Sequence, residues 1–281
     1  MVLNFTKMHG CGNDYIYFNC LKEQLENPEE IAQKLSHRHF SVGGDGIVMI
    51  CSSSVADAKM RMFNSDGSEG KMCGNAIRCV GKYLSDNGIV NKDTVTIETL
   101  SGIKTLELTK KNDKVVSAKV DMGKAELVPE NIPVCVDGQH DKLVDYPLEI
   151  DGIEYKITCV SMGNPHCVVF CDDVSKIDLE KLGPKFENNS IFPDKVNTEF
   201  VSIVNRDKIK MRVWERGSGE TMACGTGACA AVVAAVENGF CNRDQYVSVE
   251  LLGGELNICY TKETVYMIGE AAVAFKGEVE I

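Results

Sequence analysis

An α+β protein built from two related halves is what this sequence predicts, and three observations carry the prediction. The first is an internal repeat. The stretch Arg61-Met-Phe-Asn-Ser-Asp-Gly-Ser-Glu-Gly-Lys-Met-Cys73-Gly aligns without a gap on Arg212-Val-Trp-Glu-Arg-Gly-Ser-Gly-Glu-Thr-Met-Ala-Cys224-Gly, at an offset of 151 residues. Arg61 thereby meets Arg212, Glu69 meets Glu220, Cys73 meets Cys224 and Gly74 meets Gly225. The second is an apolar run of helical spacing directly after each Cys-Gly pair, 76–84 and 228–236, stopped by Asn87-Gly88 and Asn238-Gly239. Glycine there can adopt the left-handed cap conformation. The third is that most other segments are short and alternate apolar with polar at period two, as strands do.

Taken in order, residues 2–8 and 14–20 read as strands around the turn His9-Gly-Cys-Gly-Asn13. Pro28 after Asn27 marks a helix start, and 29–38 has helical spacing. Val42-Gly-Gly-Asp-Gly46 is a turn before the strand 47–51, and 57–63 is a strand leading into the first cysteine loop. Strands 94–100, 103–109 and 115–121 come after the helix. The boundary falls near Met122-Gly-Lys-Ala125, giving halves 1–122 and 123–267. The second half repeats the programme: strand 155–160, the turn Met162-Gly-Asn-Pro-His166, strand 167–171, helix 179–186 and strands 199–204 and 208–213. After the second cysteine helix come strands 246–251, 254–260 and 264–268. The β-prone tail 268–281 is expected to return to the first half and complete it.

Composition narrows the function classes. With 281 residues, 44% apolar and 25% charged, the chain has the profile of a folded domain pair. A net charge of −11 argues against nucleic-acid or anionic-membrane surfaces, which need clustered Lys and Arg. No run of 18 apolar residues suggests a membrane span. The opening Met-Val-Leu-Asn-Phe-Thr-Lys7 lacks a signal-peptide pattern, so the expected location is cytoplasmic. Thirteen cysteines, an odd number without any Cys-x-x-Cys, are expected to be mostly reduced and buried rather than disulfide-linked or metal-bound.

A cysteine at a helix start sits among unpaired backbone N–H groups at the positive end of the helix dipole. That setting favours the thiolate, and the same N–H groups cradle an anion such as a carboxylate. One such cysteine reads first as a buried core thiol, since free cysteine is among the most buried residue types, and otherwise as a nucleophile or a redox sensor. Two of them, in related halves, favour a different reading. Halves closed about a pseudo-twofold axis would set the thiols on opposite sides of one cleft, a geometry suited to inverting a stereocentre. One thiolate removes a proton while one thiol delivers a proton to the other face. Helix N-termini would stabilise the carbanion through its carboxylate.

The motifs that carry a family likeness are Lys7-Met-His-Gly-Cys-Gly-Asn-Asp14, Phe63-Asn-Ser-Asp-Gly-Ser-Glu69, Met72-Cys-Gly-Asn75, Met162-Gly-Asn-Pro-His166, Val196-Asn197, Trp214-Glu-Arg-Gly217 and Gly219-Glu-Thr-Met-Ala-Cys-Gly-Thr-Gly227. Together they resemble the diaminopimelate epimerases, cofactor-independent two-base amino-acid epimerases. The resemblance implies two domains, each a mostly antiparallel sheet or barrel wrapped around a central helix. It implies conversion of LL-2,6-diaminopimelate to the meso isomer in lysine and peptidoglycan precursor synthesis, by a homodimer without metal or other cofactor. Cys73 and Cys224 would be the acid/base pair. Asn13, Asn64, Asn164, Asn197 and Arg216 would line the pocket, with backbone amides of Gly74, Asn75, Gly225 and Thr226 on the reacting carboxylate. Glu215 would accept the ammonium and, with His166, tune the thiols. The chain departs from the family pattern at Cys11, Ala76 and Gly46.

Two other readings compete. Proline racemases and hydroxyproline epimerases resemble the chain at the paired cysteines but typically follow the first Cys-Gly with histidine, where Asn75 stands here. A thiol redox protein would use Cys73 and Cys224 as a reversible disulfide, against which the missing Cys-x-x-Cys and the polar pocket residues count.

Overall fold

A computed structural model of the chain describes residues 2–281. It separates into two compact units: the residues up to Asp121 together with Ile268–Ile281, and Met122–Met267.

The first unit runs β1 (Val2–Gly10), β2 (Asn13–Cys20), α1 (Pro28–Leu35), β3 (Gly46–Cys51), β4 (Ala58–Asn64), the short β5 (Glu69–Gly70), α2 (Gly74–Asp86), β6 (Thr94–Thr99), β7 (Gly102–Lys111) and β8 (Lys114–Gly123). Successive strands joined by tight turns are antiparallel: β1 with β2, β3 with β4, β4 with β5, β6 with β7 and β7 with β8. The two parallel pairs, β2 with β3 and β4 with β6, are those whose connections contain α1 and α2. That is the expected pattern, because a parallel pair needs a long crossover. The chain's last strand, Ala272–Glu280, lies antiparallel along β1. Cys11 and Gly12 both have positive φ, 53° and 78°, so the β1–β2 hairpin closes on a two-residue turn of the primed type.

The second unit follows the same plan: β9 (Tyr146–Ile150), β10 (Ile153–Ser161), β11 (Pro165–Phe170), α3 (Leu179–Glu187), β12 (Asn197–Asn205), β13 (Lys208–Glu215), β14 (Gly219–Thr221), α4 (Gly225–Glu237), β15 (Tyr246–Leu251), β16 (Gly254–Tyr260) and β17 (Val265–Glu270). Here too the helix-connected pairs β11 with β12 and β13 with β15 are parallel. The last strand of all, already met on β1, is β18.

In each unit one helix is inside the sheet and one outside. α4 packs on β10, β11, β12, β13, β15 and β16, and α2 on β1, β2, β6 and β7, so each sheet curls around its own cysteine helix. The sequence permits this in α4 because residues 227–235 are all buried and mostly Ala, Gly or Val. Small side chains on every face let strands approach from all round, where a one-sided stripe would serve only a surface helix. Both helices end as the sequence indicated, with Gly88 and Gly239 at φ 69° and 76° and a following N–H returned to Leu84 or Ala235. The outer helices α1 and α3 are amphipathic and cover β3 and β4, and β12, β13 and β14, respectively.

Among the differences from the sequence reading, three boundaries bear on the site. α1 stops at Leu35 rather than 38, because the loop beyond turns back and donates Gly43 N–H to the Leu35 carbonyl and Gly44 N–H to Ser36. Arg38, which the helical spacing would have included, instead reaches Asp14 and Asp45. β11 begins at Pro165, so His166 lies in a strand rather than a turn, and Cys171 falls outside it. Proline is tolerated there as a strand's first residue.

The second unit's core is centred on Phe186, wholly buried, with its ring edge-on to Tyr155 at 5.3 Å and to Phe200 at 5.5 Å. Phe186→Ala should lower the unfolding free energy by about 3–5 kcal/mol, the usual cost of emptying a core aromatic site. Urea titration of the variant measures it, and a loss below about 1 kcal/mol would show that the site collapses freely.

Candidate active site

Each cysteine caps its helix. Cys73, in extended backbone conformation, precedes α2, and its sulfur accepts the Ala76 N–H at 3.5 Å. Cys224 precedes α4, and its sulfur accepts the Gly227 N–H at 3.3 Å. An N-cap is normally an oxygen side chain that takes an orphan N–H of the first turn. Here sulfur does it twice, and the thiol is thereby fixed at the positive helix end.

In the first unit the Cys73 thiol donates to Asn13 Oδ1 at 3.3 Å, while Asn13 Nδ2 donates to Asp45 Oδ2 at 2.7 Å. Asp45 also accepts Asp14 N–H, and Arg38 bridges Asp14 and Asp45, so the turn that carries Asn13 is pinned to the loop before β3. Asn75 is buried in the first turn of α2, its Oδ1 accepting from Arg78 Nη2 at 3.0 Å. Asn64, at the end of β4, donates to Ser68 in the cysteine loop. The structure therefore joins Asn13 to Cys73 directly and places Gly74 and Asn75 in the next helical turn. Asn64 is linked to the loop instead.

In the second unit Cys224 is buried and Thr226 Oγ1 lies 3.4 Å from its sulfur. Glu215, at the end of β13, accepts from Thr221 Oγ1 at 2.6 Å and is hydrogen-bonded to Cys224. Asn197 is buried with both ends of its amide on backbone: Nδ2 on the Pro165 carbonyl and Oδ1 under the Arg216 N–H, each at 3.0 Å. The exposed Arg216 guanidinium donates to the Asp194 carbonyl. Asn164 and His166 touch each other, with Asn164 Oδ1 3.1 Å from His166 Nε2. Gly225 and Thr226 open α4 beside Cys224.

The electrostatics correct one expectation. A helix start should lower a thiol's pKa, yet Cys224 is pushed well above its ordinary value. Burial is the main cause, the Glu215 and Glu199 carboxylates add to it, and the Thr226 and Gly227 hydrogen bonds oppose it without prevailing. Loss of hydration moves a fully buried group by up to about 3–5 pH units, more than one helix terminus returns. Glu215 is itself raised, again chiefly by lost hydration, against hydrogen bonds from Thr221 and Cys224 and the charge of His166. Cys224 therefore holds its proton at neutral pH.

Four groups escaped the sequence reading. Glu199 stands behind Cys224, and Glu187 receives the Trp214 indole N–H, Lys195 and the Gly217 N–H, bracing the turn that carries Arg216. Burial would raise the Glu187 carboxyl, but those three donors outweigh it and hold it low. Arg78, fully buried, donates to the Gly74 and Glu270 carbonyls and to Asn75. Thr221 had only its place in the repeat to mark it. One signal was in view: Arg61 with Glu69 and Arg212 with Glu220 are equivalent by repeat, and each pair is a bidentate bridge clamping the cysteine loop to its strand.

Similarity to known proteins identifies the family. The family model for diaminopimelate epimerase matches residues 5–128 and 158–274. The chain belongs to the diaminopimelate epimerase family. A diaminopimelate epimerase of Acetivibrio thermocellus is 56% identical over 281 residues, covering 99% of both chains. One of Desulfovibrio desulfuricans is 50% identical, covering 100% of this chain and 99% of the other. A solved hydroxyproline epimerase from Agrobacterium vitis superposes with a TM-score of 0.74 at 12% identity, over 99% of this chain and 92% of that one, which shows a common fold. Membership of the diaminopimelate epimerase family makes the chain's two-domain α+β plan that family's plan. Among the described residues no helix is long and apolar enough to cross a membrane.

The unequal settings of the two thiols have a chemical signature. Iodoacetamide should modify the half-exposed Cys73 before the buried Cys224, as mass spectrometry of the cysteine peptides would record. Because alkylation needs thiolate and the Cys224 pKa is raised, its rate should still be climbing above a pH of about 9. A Cys224 rate that levels off near neutrality would contradict the buried, carboxylate-flanked thiol.

Proposed function

We propose that this protein epimerises LL-2,6-diaminopimelate to meso-diaminopimelate with Cys73 and Cys224 as its two acid/base groups, serving lysine and peptidoglycan precursor synthesis. The observation that carries the reading is the duplicated one: a sulfur-capped helix N-terminus in each half, in a chain 56% identical to a diaminopimelate epimerase over its length.

The step balances simply. A thiolate takes the α-proton, forming S–H, and the C–H electron pair passes to the α-carbon and its carboxylate. The opposite thiol gives its proton to the other face, leaving a thiolate there. Atoms and charge are conserved; only the configuration and the protonation of the two sulfurs change. Cys224, held as a thiol, would be the acid of the first turnover, and Cys73, once its proton has left the Asn13 hydrogen bond, the base. The first-turn amides of Gly74, Asn75, Gly225 and Thr226 would receive the carboxylate as negative charge builds on it. Glu215 would take the ammonium of the reacting centre. Asn13, Asn64, Asn164 and Asn197, with Arg216, would recognise the distal amino-acid centre, Asn197 by fixing the Arg216 backbone.

The same reading puts the enzyme in the cytoplasm, without cofactor, as a homodimer. Exposed Val273 and Phe275 on β18 supply apolar surface that favours self-association.

The deciding measurement is proton NMR in D2O. Loss of the α-proton signal from diaminopimelate, with LL and meso forms interconverting, is expected, while proline and lysine should keep theirs. Exchange on proline instead would transfer the two-thiol mechanism to the sister activity. Cys73→Ala and Cys224→Ala should each cut epimerisation at least about a hundredfold. Full turnover by either would remove the two-base mechanism.

A further inference from the structure

The His166 and Glu199 side chains are both fully excluded from solvent, with Nδ1 2.7 Å from Glu199 Oε1. On the other side of the ring, Nε2 lies 3.1 Å from Asn164 Oδ1, an atom that can only accept. Nε2 must therefore carry hydrogen. The Nδ1 contact is then either N–H to carboxylate or carboxylic O–H to nitrogen, and both hold the ring by two strong bonds. With its carbonyl taken, Asn164 offers its NH2, which bonds to no protein group among the described residues and belongs to a half-exposed residue.

The fold does not require this pair. By the repeat, His166 and Glu199 correspond to Tyr15 and Val48, which sit at the same places on β2 and β3, both buried. A carboxylate where the other half has valine is a costly choice, and one of its oxygens, Oε2, is buried with no hydrogen-bond partner among the described residues. Nor is the glutamate there to fill space: Oε1 crowds the first turn of α4, standing 2.6 Å from where a Cβ on Gly227 would lie.

We infer that Glu199 is a positioning residue for the epimerisation: it anchors the His166 ring, and His166 holds the Asn164 amide with its NH2 turned out as the donor offered to substrate. The inference deepens the function proposed above and rests on it for the identity of the substrate. The other titratable groups facing the pair are Glu215 from β13, Cys224 at the start of α4 and Cys167 on β11. Glu199 touches no reacting atom: it acts on substrate binding through His166 and Asn164, and on Cys224 only through the charge that helps the thiol keep its proton.

Two variants separate anchoring from mere packing. Glu199→Val, the residue of the other half, leaves the ring tied at one end, and KM for diaminopimelate should rise about tenfold, the size of one lost buried hydrogen bond, with a smaller change in kcat. Glu199→Gln can donate from its amide to Nδ1, so it should return KM to within about twofold of the parent. With Asn164→Ala already in place, Glu199→Val should add little, because the residue it positions is gone. An unchanged KM in Glu199→Val, a Glu199→Gln as impaired as the valine variant, or fully additive effects with Asn164→Ala would each overturn the assignment.

A readout independent of turnover comes from the full-length protein labelled with 15N-histidine. The Nε2 of His166 should bear a slowly exchanging hydrogen in the parent and in Glu199→Gln; an unprotonated Nε2 in the parent would also overturn the assignment. A protein that exchanges no diaminopimelate α-proton but keeps this hydrogen would have lost the proposed reaction and retained the His166 anchor.

Discussion

A backbone N–H bonded to sulfur at a helix start is the contact on which the geometry around both cysteines depends. α4 is buried along its whole middle, and its polar business is confined to its termini. A thiol at that point is fixed in position by the helix, but its acidity is set by what surrounds it. For Cys224 those surroundings are exclusion from water and the Glu215 and Glu199 carboxylates, and together they prevail over the helix. A helix terminus contributes about 0.3–1 kcal/mol in most settings, whereas full burial moves a pKa by several units at about 1.36 kcal/mol each. The helix start supplies the geometry; the protonated form of Cys224 comes chiefly from burial.

The bridges around the two cysteine loops have a comparable division of labour. Arg61–Glu69 and Arg212–Glu220 are partly solvated, and such pairs each add only about 0–1 kcal/mol of stability. Their bidentate geometry nevertheless fixes where β5 and β14 leave their strands, and hence where each cysteine begins its helix. Glu187 does the same for the Arg216 turn by gathering three donors from three places in the chain.

What could be read from the sequence was whatever is local or repeated. The two cysteine helices, their Asn-Gly ends and the alternating strands rest on spacing within a few residues, and the offset of 151 ties the halves together. Boundaries set by distant partners could not be read, as where α1 yields to a loop that returns to Asp14. Nor could the roles of Arg78 and Glu199. A charged residue in an alternating strand reads as solvent-facing, and only the fold, which sets Glu199 opposite Val168 and diagonal to His166 on β11, brings its side chain to the ring and away from water. Cys224 misled in another way, since its motif records the helix start but not the carboxylates that the fold brings to it.

The crowding between Glu199 and Gly227 also limits how far the two halves can trade residues. In the first half the corresponding residues are Val48 and Ala76, and a short apolar side chain leaves room for a methyl group at the helix start. In the second half the longer carboxylate occupies that room. A methyl group at 227 would have to push the carboxylate aside, and with it the contact to His166. The two halves share a plan, but at 199 and 227 each residue is chosen with the other in place.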